Sequence, residues 1–419
     1  MTETLRNPRN KSAGGKWLAF LFCLLCILTE PGVAAEGPDI KLLGTARLGE
    51  KAYAILEFRR SPGHIPQVAT WVEHDRLEGF ELVSINDSAG HVTLLQDGKQ
   101  VVRSIPPFAG AGGNYDFNFH EAPISQVFYI YQQLAGVTVL RSPILPESKL
   151  TLQLAALSSA ETAREALDSA LKQKDVLMKP HGGVFAFAIP TSFEPRLAQI
   201  TARLGNPPVN EAPSVPQGSV PQANLPSGIL PPGMLAFFQA EDSQVFDIYQ
   251  ELAERTLLRQ SSIPRFKVSV RTQTNLTRPQ AIYALDALFA LSDVAMVQRE
   301  PKLVLVIKTA DLELLKRLPL ARQLPAIDAG AKFSEGSLRL QDADLKTTLD
   351  LYGKVTGRTP IAPESTPALK LSLRNKTEFS RAEAMSTLEV LAAINYVAFE
   401  WVGDDQVKAV PSSASAISP

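Results

Sequence analysis

The chain has 419 residues, of which 45% are hydrophobic and 20% charged, and its formal net charge is −1 at pH 7. This composition is typical of a globular protein, and the length suits two to four domains. A nearly neutral chain has no general electrostatic attraction for nucleic acid or anionic lipid, so we expect neither as a partner.

Residues 1–35 have the pattern of an export signal. A basic stretch precedes the apolar run WLAFLFCLLCIL at Trp17–Leu28, and a Pro-Gly pair then interrupts it. Small residues suit cleavage between Ala35 and Glu36, and the apolar run is short for a membrane span. We therefore predict a cleaved signal peptide. The alternative is an uncleaved segment that anchors the chain in the inner membrane.

Both cysteines, Cys23 and Cys26, lie within this apolar run. A C-x-x-C pair can serve redox or metal chemistry, but here it would be discarded or held in hydrocarbon. A lipoprotein signal is disfavoured because a large residue precedes each cysteine. The exported chain would contain no cysteine, so we expect a fold stabilised by core burial and not by disulfides.

Residues 36–107 show short alternating strands separated by turn residues. IKLLGTARLGEKAYAILEF indicates two strands, and FELVSINDSAGHVTLLQDGKQVVRSI indicates three more, with Asp-Ser-Ala-Gly and Asp-Gly turns. We predict a small all-β domain of about five strands. The following FAGAGGN carries no G-K-[ST] and is interpreted as a hinge, not as a phosphate-binding loop.

One segment of the sequence is repeated. SQVFYIYQQLAG at 125–136 returns as SQVFDIYQELAE at 243–254, and a third, more diverged copy places Tyr352 at the position of Tyr249. The repeat is longer than that of most solenoids, so each copy is expected to have its own core. We predict three small domains, over 115–190, 234–309 and 332–410.

Hydrophobic periodicity gives each copy the order β-α-β-β-α-β-β, an α+β domain with two helices on one sheet. In the first copy, 117–119 and 149–154 alternate as strands, and Tyr131 lies on the apolar face of a helix that Gly136 ends. The second helix begins with a capping box in two copies: Thr277-x-x-Gln280 and Ser380-x-x-Glu383. Tyr129 and its counterpart Asp247 face outward and are expected to vary freely.

The remaining segments are predicted to be connections. They are a helix with a proline-rich linker over 191–233, a connector over 310–331 with a helix broken at Pro319, and a disordered tail over 411–419.

The three copies resemble the short N-terminal domain shared by secretins and TonB-dependent receptors. The resemblance rests on one order of motifs, found three times: FNFHEAPISQVF, LAFFQAEDSQVF and LRLQDADLKTTL, then KLTLQL, KVSVRT and KLSLRN, then AREALDSAL, AIYALDALF and AMSTLEVLA. It implies three secretin-type domains in tandem. A secretin continues into ring-forming modules and a Gly-rich β-barrel. No such sequence follows copy three here, so we do not expect this chain to be the channel itself.

Residues 40–106 resemble the periplasmic homology region of the type II secretion C component, which is related to pilus assembly P-type lipoproteins. The residues that carry this resemblance are Leu43-Gly44, Ala52–Ile55, Val83-x-Ile85 and Val92-x-Leu94 with Asp97-Gly98. In type II systems that region docks on the secretin's first short domain. The resemblance therefore implies that both docking partners are fused in one chain.

No catalytic or metal-binding pattern is present in the sequence. The 5 histidines form no i, i+4 pair, and neither H-E-x-x-H nor G-x-S-x-G occurs. His120-Glu121 is interpreted as a surface turn, because the other copies carry unrelated residues there. Two sets of residues recur. Asp168, Asp286 and Glu389 are assigned to a solvated helix face, and Tyr131, Tyr249 and Tyr352 to core packing.

These features predict a non-enzymatic periplasmic adaptor or scaffold, without cofactor or metal, of a type II-like secretion or type IV pilus-like system. The expected partners are a secretin channel or the secretion assembly platform, and self-association is a further option. Sheet edges can accept an added strand, and tandem repeats raise avidity. The sequence does not identify the binding residues. The alternative is a TonB-linked signalling or receptor-interaction protein that relays to an anti-sigma partner.

Overall fold

A computed structural model shows a mixed α+β protein, which confirms the predicted fold class at that level. The structure describes residues 39–60, 65–77, 79–86, 89–106, 114–208, 228–318, 332–361 and 369–412. The predicted cleavage site at Ala35 and Glu36 and most of the proline-rich linker lie outside these residues. Within the described part of the chain, no helix is long and apolar enough to cross a membrane.

The described part of the N-terminal region contains seven strands, where the sequence predicted about five. β4 to β7 form a four-stranded antiparallel sheet, whereas β1 to β3 belong to a second sheet. The strands are β1 (Asp39–Leu48), β2 (Lys51–Arg59), β3 (Gln67–Trp71), β4 (Arg76–Leu77), β5 (Phe80–Asn86), β6 (His91–Gln96) and β7 (Lys99–Ser104).

Unit 1, residues 115–190, has the order strand, helix, strand, strand, helix, strand, strand. Its elements are β8 (Tyr115–Pro123), α1 (Ile124–Ala135), β9 (Thr138–Arg141), β10 (Lys149–Leu157), α2 (Ala160–Lys172), β11 (Val176–His181) and β12 (Phe185–Pro190). Gly136 ends α1 in the left-handed conformation, with φ 65°. A short 3-10 helix (Thr191–Phe193) and helix α3 (Glu194–Leu204) follow.

Unit 2, residues 228–308, shows the same order, with two short extra strands, β13 (Ile229–Leu230) and β17 (Leu276–Thr277), that pair with each other. Its other elements are β14 (Ala236–Glu241), α4 (Asp242–Ala253), β15 (Thr256–Arg259), β16 (Lys267–Arg271), α5 (Arg278–Leu291), β18 (Val294–Arg299) and β19 (Leu303–Lys308). The capping box predicted at Thr277 and Gln280 is present.

Unit 3, residues 332–411, repeats the pattern of unit 2. It contains β20 (Lys332–Phe333), β21 (Arg339–Ala343), α6 (Leu345–Thr356), β22 (Thr359–Ile361), β23 (Leu371–Arg374), β24 (Phe379–Ser380), α7 (Arg381–Ala393), β25 (Val397–Val402) and β26 (Gln406–Pro411). Its capping box, Ser380 with Glu383, is also present. The connector before it is a 3-10 helix, Thr309–Arg317, where the sequence predicted a helix; Pro319 lies outside the described residues.

The five strands that the three units have in common are divided between two sheets, where the sequence predicted one. The first strand pairs antiparallel with the third, as β8 does with β10. The second strand pairs parallel with the last, as β9 does with β12, and the last two strands form a hairpin. Two parallel strands need a crossover connection, and in each unit the second helix lies within the segment that connects them.

The units share their cores. In β12, Phe185, Phe187 and Ile189 pack into the core of unit 2, whereas Ala186 and Ala188 pack into unit 1. β19 divides its side chains between units 2 and 3 in the same way. Burial on both faces explains the continuous apolar sequences of these two strands, and it fixes each unit against the next.

The N-terminal region also continues into unit 1. β1 pairs antiparallel with β8, which gives a five-stranded sheet in the order β10-β8-β1-β2-β3. The two backbones approach closely at Gly44, where a Cβ would lie 2.9 Å from Phe119 Cδ1. The sheet therefore joins the N-terminal region to the first repeat, between which the sequence predicts a hinge.

Candidate functional site

The second helix of each unit carries an acid that faces a core tyrosine of the first helix. In unit 3, the Tyr352 hydroxyl donates to Glu389 Oε1 at 2.7 Å, and both side chains are buried. In unit 2 the Tyr249 side chain faces Asp286, and in unit 1 Tyr131 faces Asp168. Both contacts are looser than the one in unit 3, because a buried carboxylate oxygen of each aspartate has no hydrogen-bond partner among the described residues. These equivalent positions show that the assignment of the three acids to a solvated face was wrong.

Burial controls the ionisation of these pairs. Burial raises the pKa of Asp286 to about 7, although the Tyr249 hydroxyl and the Arg203 and Arg255 side chains oppose the rise. Burial also raises the pKa of Asp168 and of Tyr249. The tyrosine of each pair is buried in the core of its unit, so we interpret these contacts as part of core packing.

A second polar contact joins unit 1 to unit 2. His181 at the end of β11 lies 2.6 Å from the Tyr283 hydroxyl of α5, with the two rings stacked. The same hydroxyl donates to the Gly205 carbonyl at 2.9 Å. Burial, assisted by the charge of Asp286, raises the pKa of Tyr283 to about 12. This histidine therefore fixes the junction between two units.

Metal-binding clusters are not found: within the described ranges, no three His, Cys, Asp or Glu side chains come together. His120 lies exposed in β8, and Glu121 next to it has φ 53° within a bulged strand, where the sequence predicted a surface turn. The Glu121 amide donates to Thr151 Oγ1 at 3.1 Å. The same bulge recurs in the other units, with amide-to-hydroxyl contacts from Gln239 to Ser269 and from Asp342 to Ser372.

The junctions between units are equivalent to each other. At the first, the Gln273 amide donates to Thr138 Oγ1 at 3.3 Å, and Gln133 donates to the Gln273 side chain at 2.6 Å. At the second, the Lys376 amide donates to Thr256 Oγ1 at 2.9 Å, and its ammonium binds a glutamate at 2.6 Å. The same helix and strand positions provide these partners, so the units stack with one geometry.

Each junction encloses a groove. The first junction groove, of about 280 Å³, lies between α1 and β9 of unit 1 and the β14·β16 pair of unit 2. The second junction groove, of about 530 Å³, lies between α4 and β15 of unit 2 and the β21·β23 pair of unit 3. The first is lined by aromatic side chains, including Tyr129 and Phe238, and the second by charged ones. The paired grooves are therefore the candidate binding sites.

The units differ in how their first strand is covered. The edge of β8 is occupied by β1, and Phe117, Asn118 and Phe119 are all buried. In the described part of the chain, the equivalent strands β14 and β21 each pair with one neighbour only. Phe238 on β14 is 81% exposed. Two sheet edges with unpaired backbone groups thus lie beside the grooves, and such edges can accept a further strand.

Among the described residues, the outward face of the first helix is covered in unit 1 and exposed at the equivalent positions of unit 2. Gln126 on α1 donates to the Val68 carbonyl of β3 at 3.1 Å. Tyr129 contacts the Tyr53 ring edge-on, with centroids 6.5 Å apart, and Arg271 of unit 2 lies over its ring. The prediction that Tyr129 varies freely was therefore wrong. Its counterpart Asp247 is exposed, which accounts for the change from aromatic to acidic.

This chain matches no family model, no curated protein and no solved structure. The candidate sites therefore rest on the geometry of the grooves and edges alone. The sequence predicted sheet edges as binding elements but not their positions, because the pairing of β1 with β8 joins strands far apart in the chain.

Proposed function

We propose that this protein is a non-enzymatic periplasmic adaptor of a type II-like protein secretion or type IV pilus-like system, which binds a secretin or another assembly component through its repeated units. In this proposal units 1 to 3 are short secretin-type domains, residues 1–35 are the export signal, and 40–106 is a type II C-like region. The activity is protein binding, and it requires no cofactor.

The pairing of β1 with β8 is the observation that supports this proposal most directly. In type II systems a C-type region docks on the first short domain of a secretin, and here a strand of the N-terminal region pairs with the first strand of unit 1. The equivalent strands β14 and β21 have open edges among the described residues. They are suited to binding the same kind of partner from another chain.

Tandem stacking favours the same role. Shared cores and equivalent junctions hold the open edges of β14 and β21 at a fixed separation, because each unit is packed against the next. A partner with repeated domains would meet two edges at once, and the second contact would form at high effective concentration.

Site-specific crosslinking in intact source cells tests the proposal. A photoreactive phenylalanine analogue replaces Phe238 on β14 or Gln341 on β21, and a matched control carries it at Lys172, an exposed position at the end of α2. Mass spectrometry identifies the adducts. We expect a secretin or an inner-membrane assembly-platform protein from the two edge positions and none from the control.

Two outcomes would overturn the proposal. Adducts with a TonB-type transporter or an anti-sigma factor would replace the secretion role with TonB-linked signalling. Recovery of the protein from the cytoplasm of fractionated cells would remove the periplasmic assignment, and with it both roles.

A further inference from the structure

Two arginines lie directly opposite each other on β21 and β23. Arg339 and Arg374 are register partners of this antiparallel pair, and both side chains are exposed. Like charges in directly opposite positions destabilise a sheet. Arg339 donates to the neutral amide oxygen of Gln341 at 2.9 Å, and within the described residues neither arginine forms an ion pair. The arrangement is unfavourable in the protein alone.

The equivalent positions of the other units do not repeat this charge pair. In unit 1 they are Asn118 and Gln153, whose amide groups hydrogen-bond at 3.2 Å. In unit 2 they are Ala236 and Arg271, and that arginine lies over the Tyr129 ring. The doubled charge is therefore a property of unit 3 and not of the repeated fold.

Both arginines line the second junction groove, and so does Lys370, which likewise has no ion pair among the described residues. Two further arginines of the groove, Arg259 and Arg265, already bind the buried carboxylate of Asp242 at 2.6 and 3.3 Å. The groove lining also contains two acidic residues, Asp247 and Asp342, so five basic side chains face two acidic ones. The lining therefore presents more positive than negative charge, although the whole chain has a formal net charge of only −1.

We propose that the second junction groove binds an acidic, extended segment of a partner protein, whose carboxylates bridge Arg339 and Arg374. A carboxylate between two guanidinium groups removes their repulsion and forms paired charge-assisted hydrogen bonds. The neighbouring edge of β21 offers backbone groups to an extended chain, as the β8 edge does to β1. This inference rests on the proposed adaptor role and specifies its partner.

Fluorescence anisotropy with a labelled peptide of alternating Glu and Val tests the groove in the full exported chain. We expect salt-sensitive binding that weakens about ten-fold or more in the double variant Arg339→Gln/Arg374→Gln. The control Lys99→Gln/Lys172→Gln removes the same net charge from exposed positions outside the groove and leaves the dissociation constant within about two-fold.

Stability gives a second, independent measurement. In the absence of peptide, Arg374→Glu replaces the repulsive pair by an attractive one, so the midpoint of thermal unfolding rises while peptide binding is lost. A lower midpoint would show that the arginine pair is not repulsive in the free protein and would contradict the inference.

Other outcomes are also decisive. Equal affinity for a Gln/Val peptide, an equal loss in the lysine control, or no binding at all would overturn the acidic-segment inference. Stronger binding of a single-stranded oligonucleotide would assign the groove to nucleic acid instead. If the peptide fails while crosslinking at Phe238 still recovers a secretin, the groove inference fails and the adaptor role stands.

Discussion

Burial holds the pKa of the Asp286 carboxyl at about 7, so this side chain gains its charge near neutral pH. In the unfolded chain an aspartate ionises near pH 4. Between these two pH values the folded protein keeps a proton that the unfolded chain has lost. The free energy of unfolding therefore falls as pH rises through this range, by ~4 kcal/mol at most.

We expect Asp286→Asn to remove most of this pH dependence. The Tyr249 hydroxyl keeps an amide oxygen as its acceptor, and no buried charge develops, so the variant is more stable than the wild type at pH 8 and similar to it near pH 4. Urea unfolding at pH 4.5, 6 and 8 measures the difference. Asp247→Asn, at an exposed position on α4, is the control. A variant less stable than the wild type at pH 8 would contradict the expectation.

The sequence showed that the tyrosines and the acids recur in each copy, but it did not show that they contact each other. Tyr131 and Asp168 both recur in the repeat, yet Asp168 lies at the boundary between the buried and exposed faces of α2, and helical period cannot assign such a position. One hydrogen bond of unit 1 cannot form in unit 3, and the sequence shows why. The Gln132 side chain accepts the Val139 amide in unit 1. The equivalent of Val139 in unit 3 is Pro360, which has no N–H to donate.

At the scale of elements, the pairing of β1 with β8 depends on close approach at Gly44. A valine there would place its side chain against Phe119 and the Asn118 backbone, where even a Cβ has no room. Overpacking of this kind costs about 1–3 kcal/mol. We expect Gly44→Val to lower the free energy of unfolding by that amount and to speed hydrogen exchange of the β8 amides.

Thr45→Val is the matched control for this strand. Thr45 is buried beside Gly44, and its hydroxyl has no partner among the described residues, so valine keeps the shape and removes an unsatisfied group. This control should be neutral or stabilising. If Gly44→Val left both stability and exchange unchanged, the β1–β8 contact would not be a close one.

Periodicity predicts the elements well and their pairing poorly. The bounds of α2 and the two capping boxes follow from local sequence, because side chains within one helix determine them. The partner of β1 depends on contacts with a distant strand, and alternation indicates only that a strand exists. The same limit explains why one sheet per copy was predicted, whereas the structure divides the common strands of each unit between two sheets.

At the scale of the whole molecule, stacking of the units is visible in strand composition. β12 and β19 are apolar along their length because both faces are buried, whereas in β26 of unit 3 the outward residue Lys408 contacts Glu400 at 3.3 Å. Continuous apolar strands are the sequence signal of burial on both faces. The stability of such an array is a sum of unit and junction contributions.

Three equivalent threonines allow the contribution of the junctions to the free energy of unfolding to be measured separately from that of the units. Thr138 and Thr256 are buried and accept a backbone amide of the following unit, whereas their counterpart Thr359 in β22 is exposed. We expect Thr138→Val and Thr256→Val each to lower the free energy of unfolding by about 0.5–1.5 kcal/mol, because each removes the acceptor of a half-buried amide. Thr359→Val, the same substitution at an exposed position, should change it by less than about 0.5 kcal/mol.

Chemical denaturation of the three valine variants, followed by both far-UV circular dichroism and tryptophan fluorescence, measures these differences. A weakened second junction should also let unit 3 unfold separately from the rest. Tryptophan fluorescence should then show two steps, because Trp401 lies in unit 3 and Trp71 lies in the N-terminal region. Non-coincident transitions in Thr256→Val alone would show that this junction couples the units. Equal effects of all three substitutions would instead attribute the cost to the strand and not to the stacking.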